Sequence, residues 1–145
     1  MNLDFRYIEQ FVVALVLTSL TVLVHSIGMN WVRHYFSRSY ALVKDRKLSP
    51  YRMVMIGIVG IMMGTHAFEV VVWALFYLLR GMLPNLIQAM YFSIDSYTTL
   101  GASNITLPDH WRGMGGFEAM AAMLMFGWST AVLAAVVVKL HSLET

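Results

Sequence analysis

The sequence predicts an all-α integral membrane protein with three membrane-spanning helices, and a short re-entrant helix and irregular loop between the second and third. Three observations carry this expectation. Of the 145 residues, 59% are hydrophobic and 12% charged, against about 25% charged in an ordinary soluble domain. Three apolar runs are long enough to cross the hydrocarbon layer, about 30 Å thick, which takes roughly 20 helical residues. A fourth apolar run, residues 82–97, is too short to cross and is followed by small polar residues.

The first span covers Phe11 to Trp31 and is interrupted by His25. Residues Met1 to Gln10 hold Asp4, Arg6 and Glu9, with no basic cluster and no small-residue cleavage site after them. This segment is therefore expected to be retained rather than cleaved as a signal peptide. Residues 1–36 are read as an extra N-terminal transmembrane helix, 37–51 as a basic loop, and 52–145 as a separate unit. The second span runs from Met53 to Leu79, with Ser49-Pro50 as its expected start, because proline suits a first helical turn. By the same reasoning the short helix begins near Leu83 with Pro84 in its first turn. Pro108 and Gly113 punctuate the stretch before the third span, Met114 to Leu140, which carries Glu118 near its start.

Charge sets the orientation. Arg33, Arg38, Lys44, Arg46, Lys47 and Arg52 all lie around the connection between the first two spans, and Lys139 closes the third. Only Arg6, Arg80 and Arg112 fall on the other side. The positive-inside rule then places that connection and the C-terminus in the cytoplasm, and the N-terminus and residues 82–113 outside. Trp31, Trp73, Tyr77, Tyr91 and Trp111 are candidates for interfacial belts, Trp73 and Tyr91 being equally suited to packing inside the bundle. A formal charge of +2 is too small to indicate nucleic acid. The absence of cysteine excludes disulfides and thiolate metal sites. No nucleophile with a base, and no glycine-rich phosphate loop, argues for an enzyme.

The loop after the short helix carries the chemistry. Irregular backbone at membrane depth must be buried in protein or line a watery cavity. Residues 98–104 are Thr, Thr, Leu, Gly, Ala, Ser and Asn, mostly small enough to let carbonyls approach an ion. The preceding helix aims the negative end of its dipole, about half a charge, at the inner cavity, which favours cations. An ordinary outer loop between two helices is the alternative on physical grounds alone.

Several motifs occur in order here. They are Ala89-Met90-Tyr91-Phe92-Ser93, Tyr97-Thr98-Thr99-Leu100-Gly101, Leu107-Pro108 with Trp111-Arg112, Phe117-Glu118-Ala119, and Leu124-Met125-Phe126-Gly127-Trp128-Ser129-Thr130-Ala131. From about Gly64 to Val137 the chain resembles the small prokaryotic two-pass potassium-channel family of the pore-loop superfamily. His66-x-x-Glu69 and Trp73-Ala74-x-x-Tyr77 resemble the outer helix of one bacterial branch.

The resemblance implies a pore domain over residues 52–145, a homotetrameric cation channel of the bacterial inner membrane, and lipid as its other partner. It casts Thr98, Thr99, Leu100, Gly101, Ala102 and Ser103 as the ion filter, acting through backbone carbonyls and the Thr99 hydroxyl. Asp95 and Asn104 would support that filter, Asp95 by accepting from loop amides or from Asn104. Met123, Phe126, Thr130 and Ala134 share one helix face by their spacing, which the resemblance makes the cavity lining. No cofactor is expected beyond a permeant monovalent cation, potassium first and sodium second.

The chain departs from the family pattern where it has Ala102 for tyrosine, Ser103 for the second glycine and Asn104 for aspartate. The outer filter loses an aromatic prop, and a left-handed turn at Ser103 would cost roughly 1–2 kcal/mol. Weak potassium selectivity is the expectation. A non-conducting scaffold or regulatory subunit that keeps the pore fold is the rival reading, and a haem- or quinone-binding subunit using His25, His66 and Glu69 is a third.

Ionisable residues inside a span are costly and read as functional by default. His66 and Glu69 lie three apart on one helix face. They are expected to pair with each other, with a gating role and metal binding as alternatives. Glu118 is expected to pack against the short helix, and His25 to be a polar packing residue near the cytoplasmic end.

Overall fold

The computed structural model describes residues 2–44 and 51–142, with side chains for 5–40 and 52–142. The chain forms α1 (Asn2–Lys44), α2 (Tyr51–Leu79), α3 (Leu86–Tyr97) and α4 (Met114–His141). A single 3-10 turn, Asp109–Trp111, precedes α4, and no strand occurs among the described residues. The stretches Phe5–Tyr40, Arg52–Leu79 and Asp109–His141 are long and apolar enough to cross a membrane.

Helix α1 runs well past the expected span in both directions. Nothing from residue 2 to 44 is a proline, and the one glycine, Gly28, sits mid-helix, so no breaker ends it. At 1.5 Å per residue it is about 64 Å long, and its charged ends project beyond the hydrocarbon. Ser49 and Pro50, the expected start of α2, lie outside the described residues, as do Arg46 and Lys47.

Helix α2 stops at a left-handed glycine. Gly81 has φ +65°; its N–H donates to Leu78 O (2.9 Å) and that of Met82 to Tyr77 O (3.0 Å). This is the paired bonding of a Schellman cap. The short helix starts two residues after Pro84. Asn85 is the N-cap, its side-chain oxygen accepting from Gln88 N–H at 2.9 Å. The expected placement of Pro84 in the first turn is thus corrected: an asparagine side chain satisfies an orphan amide, which the proline ring cannot.

Packing fixes the relative directions of the helices. One apolar cluster joins Met29 and Val32 of α1, Val54, Ile58 and Met62 of α2, and Val136 and Leu140 of α4. The other joins Ala14 and Leu17 of α1, Trp73, Ala74 and Tyr77 of α2, Ala89 and Phe92 of α3, and Trp111, Met114 and Ala121 further along. So α1 and α4 run parallel, α2 antiparallel to both, and α3 lies at the end away from the α1–α2 connection. Trp73, Tyr77 and Trp111 belong to this interior and are not lipid-facing belt residues, whereas Trp31 and Tyr91 are about two-thirds exposed.

Close approaches depend on missing side chains. A methyl group at Gly28 would collide with the Thr65 side chain across α1 and α2, and one at Gly115 would stand 2.9 Å from Ser96 Oγ of α3. Gln10 ties α1 to α4. With its amide oxygen turned to the first turn of α4, it accepts from Gly113 N–H (3.0 Å) and Met114 N–H (3.2 Å).

Candidate functional site

Midway along the bundle, between the two apolar clusters, side chains from all four helices close a buried polar ring. Glu69 of α2 has no exposed surface and accepts at Oε1 from His25 Nδ1–H of α1 at 2.9 Å. Its other oxygen, Oε2, accepts from the Tyr97 hydroxyl of α3 and lies 3.4 Å from His66 Nδ1. With its proton given to Glu69, the Tyr97 oxygen accepts from His66 Nδ1–H at 2.8 Å. Ser129 Oγ of α4 closes the circuit, 3.0 Å from His66 Nε2 and 3.3 Å from His25 Nε2. Phe126, at 4.7 Å between ring centroids, covers the face of His66 and stands edge-on to Tyr97.

His66 and Glu69 are near each other, as their spacing implies, but they are only part of the assembly. His25, expected to pack near the cytoplasmic end, sits at the bundle centre and makes the closest histidine–Glu69 contact. Burying a carboxylate in the middle of a membrane bundle is costly unless it is paired and hydrogen-bonded. Three side chains from α1, α2 and α3 meet this one.

A second buried group lies one layer toward the loop. Glu118 is fully buried and accepts from Tyr77 OH (2.8 Å) and Ser93 Oγ (2.5 Å), tying α4 to α2 and α3. Thr21 Oγ1 accepts from Trp73 Nε1–H at 2.9 Å and fastens α1 to the same layer. At the loop end of the bundle, Arg80 donates to Glu9 at 2.7 Å and stacks 5.0 Å over Trp111.

The loop that follows α3 begins with an unusual cap. Thr99 has φ +58°, with its N–H donating to Ser96 O and that of Leu100 to Asp95 O, both at 3.0 Å. This repeats the Schellman bonding at the end of α2, with threonine where α2 has glycine. Gly101 is also left-handed, at φ +66°. The left-handed residues are therefore Thr99 and Gly101, not Ser103, so the strain expected at Ser103 falls instead on Thr99. Asp95 Oδ1 accepts from Ala102 N–H at 2.7 Å, and Ser103 Oγ from Ile105 N–H at 3.0 Å. Asn104 is exposed. A cavity of about 460 Å³ lies between α3 and the loop, lined by Tyr91, Asp95, Leu100 and Ala102 among others.

Thr98, Thr99, Leu100, Gly101 and Ala102 are exposed in the single chain, and Leu100 keeps 71% of its surface. Met123, Phe126, Thr130 and Ala134 are exposed along α4. The structure thus brings Asp95 to Ala102 and the Tyr97 end of the loop to Phe126, while His66, Glu69 and Glu118 lie inside the bundle rather than on that face. Sequence reasoning missed Tyr97 and Ser129 as members of a polar site. A tyrosine hydroxyl in an apolar helix needs a partner, and that was the available signal.

The family model described as Ion channel matches residues 65–139, just over half of the chain, from within α2 to near the end of α4. Neither the curated proteins nor the solved structures yield a significant match. The matched segment holds His66, Glu69, Tyr97, Glu118 and Ser129, whereas His25 and the rest of α1 precede it.

Proposed function

This chain belongs to the ion channel family, and from that premise we propose that it is a passive cation channel, formed by four copies around the Thr98–Ser103 loop. The observation that carries the proposal is that residues 98–102 of that loop and Met123, Phe126, Thr130 and Ala134 of α4 are all exposed in the single chain, with Phe126 edge-on to Tyr97 at the start of the loop. Irregular backbone at membrane depth needs protein or a watery cavity around it, and one chain leaves this loop uncovered. Copies related by four-fold symmetry would face their loops toward a common axis. Helix α3 serves as the pore helix in this reading, α4 as the inner helix and α2 as the outer helix.

Asp95 acts as the filter's support by holding the Ala102 amide. The permeant ion is a monovalent cation, and potassium is poorly distinguished from sodium because Ala102 offers no aromatic prop behind the outer carbonyls. The membrane is the bacterial inner membrane, with the Thr98–Ser103 loop outside and the C-terminus cytoplasmic. Purified protein in liposomes loaded with potassium should release it down its gradient when a proton carrier compensates charge. Absence of flux from folded, correctly assembled protein would instead favour the non-conducting regulatory subunit, a reading that draws on the replaced residues Ala102 and Ser103.

A further inference from the structure

Every described ionisable residue of the central ring belongs to one small sphere. The donor atoms of His25, His66 and Glu69 all lie within 4.8 Å of one another and all three residues are buried. The 3.4 Å from His66 Nδ1 to Glu69 Oε2 is the edge of a tetrahedron with bonds of about 2.0–2.2 Å, and His25 Nδ1, 2.9 Å from Glu69 Oε1, reaches such an edge by opening a few tenths of an ångström. The Tyr97 oxygen adjoins both His66 Nδ1 and Glu69 Oε2, and supplies a fourth donor.

Counted with Glu69 ionised and both imidazoles neutral, the ring is one hydrogen short. Both Nδ1 atoms carry hydrogen, because they face Glu69 and Tyr97 oxygens. Both Nε2 atoms are then acceptors, and both point at Ser129, whose hydroxyl has a single hydrogen. One Nε2 is left without a donor. A metal ion bound by the two Nδ1 atoms removes the conflict. Each imidazole then carries its hydrogen on Nε2, and Ser129 Oγ has two lone pairs to receive both. That is the outer-sphere hydrogen bonding that orients metal-bound histidines.

We propose that His25, His66, Glu69 and Tyr97 form a buried binding site for one divalent transition-metal ion of the zinc class per chain, with Ser129 orienting both histidines. Two nitrogens and two oxygens suit zinc in tetrahedral coordination. Binding displaces the Tyr97 phenolic proton to solvent, so two anionic oxygens offset the two charges of the ion and the site is neutral within the membrane. The His66 side chain keeps 11% of its surface while Glu69 keeps none, so the ion reaches the site from the His66 side. Such an ion would cross-link α1, α2 and α3 directly beneath the loop, and it gives α1 a part in the site although α1 precedes the family match.

The test uses tag-free, full-length protein in detergent, equilibrated with zinc sulfate and desalted. About one zinc per chain should remain by elemental analysis. X-ray absorption at the zinc edge should show two imidazoles and oxygen donors at about 2.0–2.1 Å. Glu69→Gln and His25→Gln should each lower retained zinc at least tenfold, while Glu118→Gln and His110→Gln should keep it. Folded wild-type protein that retains no zinc would overturn the proposal and leave a proton to supply the ring's missing hydrogen. Zinc retained equally by Glu69→Gln and His25→Gln would also overturn it, by placing the ion elsewhere. If those variants do not fold, the absorption spectrum of the wild type decides alone, because a shell with fewer than two imidazoles contradicts the site. Ion flux is not needed for any of these readings.

Discussion

Thr99 and Gly81 occupy the same position of the same cap, one per helix, and differ only in side chain. A left-handed threonine is disfavoured by about 1–2 kcal/mol relative to glycine. Thr99→Gly should therefore raise the thermal unfolding midpoint, by an amount equivalent to about 1 kcal/mol, and Gly81→Ala should lower it by a similar amount. A neutral or destabilising Thr99→Gly would mean that residue 99 does not hold φ +58° in the folded protein. Glu118→Ala would leave the Tyr77 hydroxyl without its carboxylate acceptor, whereas the single hydrogen of Ser93 Oγ can turn from Glu118 to Val70 O, 2.9 Å away. A loss of about 2–3 kcal/mol is expected, since a buried polar group without a partner costs that much, and denaturant unfolding in detergent would measure it. At this scale the sequence disclosed pairings only within one helix. His66 and Glu69 are legible because three residues make most of a helical turn. His25 lies 44 positions from Glu69, and only the register of α1 on α2 joins them. Tyr97 was read as the first residue of a loop motif, and that reading concealed its hydroxyl's role inside the bundle.

Between helices, the contact of α1 with α2 depends on Gly28. Its missing side chain lets the Thr65 side chain, whose hydroxyl donates to Ile61 O at 2.9 Å, lie against the α1 backbone. Small residues at such crossings let membrane helices approach closely. Gly28→Leu should destabilise the bundle by about 2 kcal/mol or more. Gly64→Ala, with no atom within 4 Å of the added methyl, should be neutral or slightly stabilising. Equal effects of the two substitutions, measured by thermal unfolding in one detergent, would contradict the packing of α1 on α2 described above. Element order and type were legible because hydropathy alone marks long apolar helices. Ends were less so. Proline at a first turn is a sound rule, yet Asn85 takes the α3 cap because its side chain reaches Gln88 N–H. Helix α1 outruns its apolar core because nothing in its flanks breaks a helix.

For the whole molecule, one chain leaves the Thr98–Ala102 loop and the Phe126 face of α4 uncovered, and four-fold assembly is the arrangement that would enclose a path between them. Native mass spectrometry of the protein released from lipid nanodiscs should give a tetramer, and a stable monomer or trimer would refute that assembly. Because the chain has no cysteine, a single introduced one reports its own position without interference. The most direct measurement is therefore the current through Ser103→Cys channels in a planar bilayer, before and after a charged, membrane-impermeant thiol reagent is added to the loop side. The cation current of Ser103→Cys should fall sharply and recover on reduction, while the native channel is unaffected. A Ser103→Cys current that persists after complete modification would show that ions do not pass this loop.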